Sequence, residues 1–255
     1  MPTRDMQEVV RSPRSFLNDG EHYDACHASR HDDLLFWIKM ASTAKSVLEL
    51  ACGTGRIAIP LAVKGARVTG IDNCQSMIDQ GKRNARGAGV EIEWVLGDMR
   101  SFDLGRDDFD LVVLAFNGMN LLLTLEDALS CLRCARKHLA PNGRLVIDTF
   151  LPTPERLVAE ELQIDYTLPD DAKVTINARR AYDPAAQIRS LDLAVSSTAG
   201  DSGTDRQDVH VYYPSELSLL VHQADFDVVA MYGGYDQRRL DALSRRCIFV
   251  CTPLA

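Results

Sequence analysis

The segment "VLELACGTGRIAIPLA", from Val47 to Ala62, holds two glycines between an apolar, strand-like run and a helix-like run. Gly53 and Gly55 permit a tight turn there and let a ligand lie against bare backbone at the start of the helix. Asp72 ends the next apolar run, about 20 residues further on, where a carboxylate in this architecture accepts hydrogen bonds from ribose hydroxyls. The glycine turn and the carboxylate together predict a site for a nucleoside.

A third acidic residue, Asp98, ends the following strand-like run in "VLGDM". It is placed to accept a hydrogen bond from an exocyclic adenine amine, and Met77 and Met99 can supply apolar contact to the ring. In an open parallel sheet, ligands lie beyond the carboxyl ends of the strands, where all of these residues fall. A lone Gly-x-Gly is a weak signal, so the prediction depends on the three strand ends together.

Apolar runs and helix-like segments alternate through the middle of the chain, which predicts a parallel sheet with helices on both faces. The predicted strands are Val47–Ala51, Arg67–Asp72, Ile92–Asp98, Phe109–Phe116 and Arg144–Phe150, and the predicted helices are Arg56–Lys64, Gln75–Ala88 and Leu125–Leu139. The motif "APNG" predicts the end of the last helix.

The pattern changes after Phe150. Residues 172–213 alternate polar and apolar side chains and are interrupted by turn signals, which is typical of antiparallel strands. A helix over Pro214–Ala224 and a hairpin at the sheet edge follow. We therefore expect an α/β, Rossmann-like fold with a seven-stranded, mostly parallel sheet, helices on both faces and an antiparallel β insertion after the fifth strand. Residues 1–45 would form a helical lid, 46–152 and 212–255 the core, and 153–211 the insertion that covers the substrate site.

Composition narrows the class of partner. The chain of 255 residues has a formal net charge of −8, which argues against a protein that neutralises phosphates over a wide surface. Its start contains no apolar signal region, and no segment approaches the roughly 20 apolar residues of a membrane span. We expect a cytoplasmic monomer or homodimer that binds a small molecule, and neither nucleic acid nor a membrane.

Seven cysteines without a secretion signal indicate free thiols in a reducing compartment. Cys131, Cys134 and His138 have a spacing that could suggest a metal site. They lie in a segment of helical periodicity, however, and no second cysteine pair accompanies them. We interpret the cysteines as small core residues and expect no metal.

In order, the motifs "LELACGTGR", "VTGID", "LGDM", "FDLVVLAF" and "LAPNGRLVIDTF" closely resemble those of class I S-adenosylmethionine-dependent methyltransferases. The resemblance covers about Val47 to Phe150 and, more loosely, the C-terminal helix and hairpin. It implies an enzyme that binds S-adenosyl-L-methionine and releases S-adenosyl-L-homocysteine.

The resemblance also implies roles for single residues. An acidic residue and a Gly-x-Gly-x-Gly turn hold the methionine end of the cofactor in that family, and here Ala51 replaces the first glycine. Asp72 would bind the ribose, Asp98 the adenine, and Phe116 would lie beside the sulfonium and the acceptor. The cofactor-binding residues predicted in this way are Tyr23, Glu49, Ala51, Gly53, Gly55, Arg56, Asp72, Asn73, Met77, Asp98, Met99 and Phe116.

Three other classes of protein share parts of this pattern. A dinucleotide-binding dehydrogenase needs a further glycine where this chain has Ala58. Many nucleic-acid methyltransferases carry Asn or Asp, then Pro-Pro and an aromatic residue, where this chain has "AFNGMN". A non-catalytic nucleoside-binding module stays open, because a fold does not dictate its chemistry.

The segment "HYDACHASRH" resembles the Tyr-Asp lead-in of N-methyltransferases that act on amino sugars and glycine, and the toxoflavin type of heterocycle methyltransferase shares the layout. We expect transfer to a nitrogen of a small metabolite, with an oxygen acceptor as the alternative. In-line displacement can depend mainly on positioning, which is worth roughly 7 to 11 kcal/mol of barrier. The predicted catalytic residues are Tyr23, His22 and Asn117, with His27 and His31 as further candidate bases, and the predicted substrate-binding residues are Asn117, Asn120, Tyr212 and Tyr235.

Overall fold

The computed structural model describes residues 16–254, so residues 1–15 of the predicted lid lie outside the described part. The chain enters the fold through a 3₁₀ turn at Phe16–Asn18 and carries a second one at Gly118–Leu121. The helices are α1 (Gly20–His27), α2 (Leu34–Met40), α3 (Ala58–Val63), α4 (Gln75–Ala88), α5 (Leu125–His138), α6 (Pro154–Leu157) and α7 (Pro214–Gln223). The strands are β1 (Ser46–Leu50), β2 (Arg67–Asp72), β3 (Glu93–Leu96), β4 (Phe109–Leu114), β5 (Leu139–Phe150), β6 (Glu160–Thr167), β7 (Lys173–Asp183), β8 (Ile188–Ser197), β9 (Ser202–His210), β10 (Phe226–Tyr232) and β11 (Arg246–Pro253).

Seven strands form one sheet in the order β10-β11-β5-β4-β1-β2-β3. The five strands from β1 to β5 run parallel to their neighbours, and β11 and β10 close the edge in antiparallel pairing. All five residues of β1 are buried, because helices cover both faces of a parallel sheet. The predicted α/β fold class is confirmed.

Alternate residues of the central strands face two separate apolar layers. Leu48, Leu50 and Ile147 pack in the layer that contains α5 and α7, whereas Val47 and Val146 face the layer that contains α2 and α3. This period of two follows from strand geometry. The two layers fix the sheet from both sides, and the carboxyl ends of β1, β2, β3 and β4 meet at one edge.

The four strands from β6 to β9 form a second, antiparallel sheet after β5. One face carries its own small apolar cluster, which includes Val174, Ile176 and Leu193 and packs against Phe16 and Leu17. The sheet therefore has a core distinct from the two layers of the main sheet.

The structure separates the two glycines of the first turn by what they contact. A Cβ on Gly55 would lie 2.6 Å from the Trp94 ring, and one on Gly81 of α4 would lie equally close to the same ring. A Cβ on Gly53 would meet only the Tyr23 ring, at 4.0 Å. The sequence suggested a ligand at both glycines of the turn, but Gly55 makes room for an indole ring, and only Gly53 leaves open space.

Helix α1 lies within residues 1–45, which were predicted as a helical lid, but its own range was not predicted because it has no amphipathic pattern. Polar contacts hold it over the glycine turn: Asp19 caps its N-terminus, and Asp24 accepts hydrogen bonds from Thr54, Gln80 and Asn84. Its only buried residue is Gly20. Hydrogen bonds, and not burial of apolar surface, therefore determine where α1 lies.

The strand β5 begins earlier than the sequence predicts, at Leu139 instead of Arg144. Leu139 pairs with Phe109, and the register then shifts before Leu111 pairs with Arg144. The motif "APNG" follows directly after α5, which ends at His138 close to the predicted end, but it lies within the ladder of β4 and β5 at an irregularity.

The two glycines of α4 provide a matched test of the Trp94 contact. Gly81→Ala places a methyl group against the indole and is expected to lower the free energy of unfolding by about 1 to 3 kcal/mol through overpacking. Gly87→Ala meets no atom within 4 Å and is expected to raise it by about 0.5 to 1 kcal/mol through helix propensity. Urea unfolding of both variants checks this, and similar changes in the two would contradict it.

Candidate active site

A cavity of about 1800 Å³ lies between the carboxyl edge of the parallel sheet and the four-stranded sheet. The side of the cavity formed by the parallel sheet and α1 contains most of the site residues predicted from the sequence. Those that line it are Tyr23, Ala51, Gly53, Asp72, Asn73, Met77, Asp98, Met99, Phe116 and Asn117. The three strand ends thus meet at one space, as the order of the motifs indicated.

The first wall of the cavity is the turn after β1. Ala51 and Gly53 both have left-handed backbone, with φ values of 53° and 55°. Asp72, at the end of β2, accepts a hydrogen bond from the Gly53 amide at 2.8 Å and one from the Cys74 amide at 2.9 Å. The carboxylate therefore fixes the turn after β1 to the end of β2.

Glu49 lies two residues before this turn and is 3% exposed. Burial raises the pKa of its carboxyl to about 8, although Arg56 opposes the shift. Among residues 16–254, its Oε2 atom has no hydrogen-bond partner. A buried carboxyl with one such oxygen beside the glycine turn fits an incoming ammonium group, which would satisfy that oxygen. Glu49 itself lines neither cavity, whereas Ala51 and Gly53 line the first, so the turn with this carboxyl behind it fits the methionine end of S-adenosylmethionine.

Arg56 does not line the main cavity, because its guanidinium is bound elsewhere. Nη1 and Nη2 donate to the two carboxylate oxygens of Asp33 at 2.6 and 2.7 Å, and Trp37 donates to the same carboxylate. Arg56 and Gly55 line a second cavity of about 270 Å³, which shares Tyr23 and His27 with the first. The predicted contact of Arg56 with the cofactor carboxylate stays a prediction.

The second wall is the turn after β4, where Phe116 and Asn117 have φ values of 49° and 66°. Two consecutive non-glycine residues in left-handed backbone are strained and need external support. Asp148 of β5 supplies it: its carboxylate accepts from the Phe116 amide at 3.1 Å, and its carbonyl accepts from the Asn117 amide at 2.9 Å. The side-chain oxygen of Asn117 is buried and has no hydrogen-bond partner in the part of the chain that the structure describes.

Asp148 is itself fully buried and paired. Arg246 donates from Nε to its carboxylate at 2.7 Å, and the Tyr235 hydroxyl donates to it at 3.0 Å. Tyr235 was predicted to bind substrate, but it does not line the cavity and supports the turn from behind. No signal in the sequence identified Asp148 or Arg246, because each lies far along the chain from Phe116.

The structure places His27 in the cavity wall and His22 outside it. His27 lines the cavity, stacks on Tyr23 and meets Phe116 edge to face at 5.4 Å. Its Nδ1 lies 2.9 Å from the Tyr23 carbonyl, which only accepts, so the proton is on Nδ1. Burial lowers the pKa of His27, so the ring is neutral at pH 7 and Nε2 carries a lone pair. His22 instead contacts the Tyr166 hydroxyl and does not line the cavity.

Two further predicted substrate residues lie in the core. The Tyr212 hydroxyl donates to the Leu122 carbonyl at 2.7 Å, and the Asn120 amide donates to the His210 carbonyl at 2.8 Å. Both side chains are buried and neither lines the cavity. They join the turn after β4 to the end of β9, so they act on the cavity only through its framework.

Asp98 lines the cavity but is already paired. Both of its carboxylate oxygens accept from Arg100, which also donates to Asp127 at 2.8 Å. The Arg100 hydrogen bonds hold the pKa of Asp98 below its ordinary value. Asp98 is therefore ionised, and Arg100 holds its carboxylate in place.

Within 16–254, no three His, Cys, Asp or Glu side chains come together in a way that could hold a metal ion. Cys131 is buried in the core, and the Cys134 thiol contacts the Phe102 carbonyl. No helix in this part of the chain has the length and apolar character needed to cross a bilayer.

The support of the second turn is testable by stability. Asp148→Asn leaves Arg246 buried without its counter-ion and is expected to lower the free energy of unfolding by about 3 to 5 kcal/mol. Tyr235→Phe removes one hydrogen bond and is expected to cost about 0.5 to 1.5 kcal/mol. The exposed control Asp236→Asn stays within about 0.5 kcal/mol of the wild type. Urea unfolding gives the three values, and a change at Asp148 no larger than the control refutes the supporting role.

Comparison with known proteins agrees with this geometry. Residues 47–143 match a family model described as a methyltransferase domain. The chain is 30% identical over 210 residues to the cypemycin N-terminal methyltransferase of a Streptomyces species, a match that covers 81% of this chain and 82% of the relative.

Solved structures show the same similarity. The CcbJ methyltransferase from Streptomyces caelestis has a TM-score of 0.74 and 31% identity, over 91% of this chain and 90% of that one. The sugar N-methyltransferase KedS8 from Streptoalloteichus sp ATCC 53650 shares the fold, with a TM-score of 0.73 and 18% identity over 91% and 93% of the two chains. With these matches over most of its length, the chain belongs to the class I S-adenosylmethionine-dependent methyltransferases, and S-adenosylmethionine is its cofactor.

Proposed function

We propose that this enzyme methylates a nitrogen of a small-molecule amine that binds in the cavity under the four-stranded sheet. The observation that carries the proposal is the neutral imidazole of His27, which meets the Phe116 ring with the unprotonated Nε2 available as a proton acceptor. Of the similar proteins, KedS8 is named as a sugar N-methyltransferase and the cypemycin relative as an N-terminal methyltransferase. Their names support a nitrogen acceptor here.

On the cofactor side, we assign the roles by position. When bound, S-adenosylmethionine supplies an electrophilic methyl group on a sulfonium. Gly53 presents open backbone, Asp72 is oriented toward the ribose position by two amides, and Asp98 is ionised for the adenine amine. Glu49 would meet the methionine ammonium. The Arg30 guanidinium lies 5.2 Å from the centre of the Phe116 ring and makes no ion pair among the described residues, so it suits the methionine carboxylate.

On the acceptor side, the residues position a nitrogen and accept its proton. His27 takes the proton that the acceptor nitrogen loses, which is a contribution of about 10²- to 10⁴-fold for a general base. The unpaired Asn117 oxygen accepts a hydrogen bond from a second N–H of the acceptor. Tyr23 packs against His27 and fixes the ring plane.

We further propose that α1 and α2 act as the lid and that the sheet from β6 to β9 covers the acceptor. Helix α1 carries both Tyr23 and His27 and is held by hydrogen bonds that water can replace. Its release would open the cavity for the cofactor at little cost in apolar burial. The cytoplasmic location, the monomer or homodimer state and the lack of a nucleic-acid partner stay predictions of the sequence.

Methyl transfer to a panel of primary and secondary amines, amino sugars and phenols tests the proposed function. We expect S-adenosyl-L-homocysteine to form with amines, and the product to gain one methyl group on nitrogen by mass spectrometry and NMR. Transfer to phenols alone would assign an oxygen acceptor instead. Tight cofactor binding without turnover on any acceptor would favour a non-catalytic module.

The role of His27 is tested by its amide variant. His27→Gln is expected to lower kcat/KM by about 10²-fold or more while S-adenosylmethionine still binds, because the proton acceptor is lost. The surface variant His222→Gln is the control and leaves kcat/KM unchanged. If His22→Gln lowered kcat/KM and His27→Gln did not, His22 would be the proton acceptor, as the sequence predicted, and the role of His27 would be refuted.

The role of Glu49 is tested by counting protons. Its carboxyl is protonated at pH 7 in the free enzyme because burial raises its pKa to about 8. An ammonium group beside it favours the carboxylate, so cofactor binding at pH 7 should release a proton. Calorimetry in buffers of different ionisation enthalpy measures this release, which we expect to vanish in Glu49→Gln and in wild type well above pH 8. Equal proton release by the wild type and the variant would remove Glu49 from the cofactor site.

A further inference from the structure

Arg189, on the four-stranded sheet, lines the cavity and has no part in the chemistry proposed above. Arg189, Leu191 and Leu193 are every second residue along β8 and therefore share one face of the strand. All three line the cavity. The Arg189 guanidinium stacks on the Phe150 ring at 4.2 Å from its centre. Among residues 16–254 it has neither an ion pair nor a hydrogen bond. A half-buried cation that shares a strand face with Leu191 and Leu193 and has no partner in this part of the chain is costly unless a ligand pairs with it.

The surroundings of Arg189 increase this cost. Arg180 and Arg156 are its charged neighbours, and burial together with these two cations lowers the pKa of Arg189 to about 10. The nearby carboxylate of Glu160 already accepts from Arg180 at 2.8 Å. Arg156 also lies over the Phe150 ring, at 6.0 Å. Arg189 therefore lies near two like charges, of which only that of Arg180 has a carboxylate partner here.

We propose that Arg189 binds an oxyanion of the acceptor, so that the substrate is an amine that also carries an acidic group. This inference rests on the proposed function for the amine. Stacking on Phe150 fixes the plane of the guanidinium and leaves its edge free to donate two parallel hydrogen bonds to a carboxylate or a phosphate. The leucines beside it suit an apolar body between the two ends of the acceptor.

The two ends of this proposed site are supported by one strand. Asp148 and Phe150 are two residues apart on β5 and therefore project from the same face. Asp148 holds the turn of Phe116 and Asn117, while Phe150 carries the Arg189 guanidinium.

Binding of simple probes tests the oxyanion site without turnover. The enzyme, saturated with S-adenosyl-L-homocysteine, is titrated calorimetrically with benzoate, its neutral analogue benzamide, and inorganic phosphate. We expect benzoate to bind more tightly than benzamide, and Arg189→Gln to weaken benzoate by about tenfold to a hundredfold without affecting benzamide. Arg189→Lys should restore part of the loss, because it keeps the charge but not the paired donors.

The control is Arg133→Gln, which removes an exposed arginine of α5 far from the cavity. It should leave the affinities for benzoate, benzamide and phosphate unchanged. Phosphate binding tighter than benzoate, and dependent on Arg189, would support the site and assign a phosphorylated acceptor. Equal affinity of wild type for benzoate and benzamide, or unchanged benzoate affinity in Arg189→Gln, would overturn the proposal.

Turnover then connects this site to the amine. With 4-(aminomethyl)benzoate and 4-(aminomethyl)benzamide as acceptors, we expect the acid to have the lower KM in the wild type and the two to become equal in Arg189→Gln, with kcat retained. A KM preference for the amide would contradict the proposal. If oxyanion binding depends on Arg189 but no amine is methylated, the proposed function fails while the site stands.

Discussion

The buried carboxylate of Asp148 is the group on which the shape of the site depends. It receives the Phe116 amide from β4, the Tyr235 hydroxyl from the loop after β10 and the guanidinium of Arg246 from β11. One charge thus fixes the parallel strands, the antiparallel edge and the strained turn relative to each other. A buried charge tolerates little displacement of its partners, because an unpaired ion in the interior costs several kcal/mol. The turn that presents Phe116 and Asn117 is rigid for this reason.

Strain is concentrated where the cavity needs it. Ala51, Phe116 and Asn117 are non-glycine residues in left-handed backbone, and all three line the cavity at the carboxyl ends of β1 and β4. Each such residue costs on the order of 1 to 3 kcal/mol and persists only when its surroundings determine it. At the turn after β1, the hydrogen bond from the Gly53 amide to Asp72 helps to hold the backbone in this conformation. Both turns therefore keep backbone and side chains aimed at the cavity without a ligand to hold them.

The sequence predicted what depends on chain order and missed what depends on distant contacts. Gly53, Asp72 and Asp98 were found because parallel strands place successive strand ends at one edge. The Trp94 ring is the reason that positions 55 and 81 need glycine, yet Trp94 lies on β3, away from both glycines in the sequence. The sequence alone does not distinguish a Tyr212 that forms the cavity wall from one that packs in the core. Its hydrogen bond to the Leu122 carbonyl places it in the core. The sequence could not distinguish His27 from the other candidate histidines, because its tautomer depends on the hydrogen bond to the Tyr23 carbonyl.

The two sides of the cavity are stabilised separately. The side proposed for the cofactor consists of strand ends and backbone whose positions depend on the main core, so few of its residues can change. The side proposed for the acceptor consists of side chains on an antiparallel sheet with its own small apolar cluster. A substitution at Arg189 or Leu191 changes the wall without breaking a ladder hydrogen bond, because those bonds are made by backbone. A chain can therefore keep the donor site intact while its acceptor wall is rebuilt residue by residue, which is consistent with a fold shared at 18% identity with KedS8.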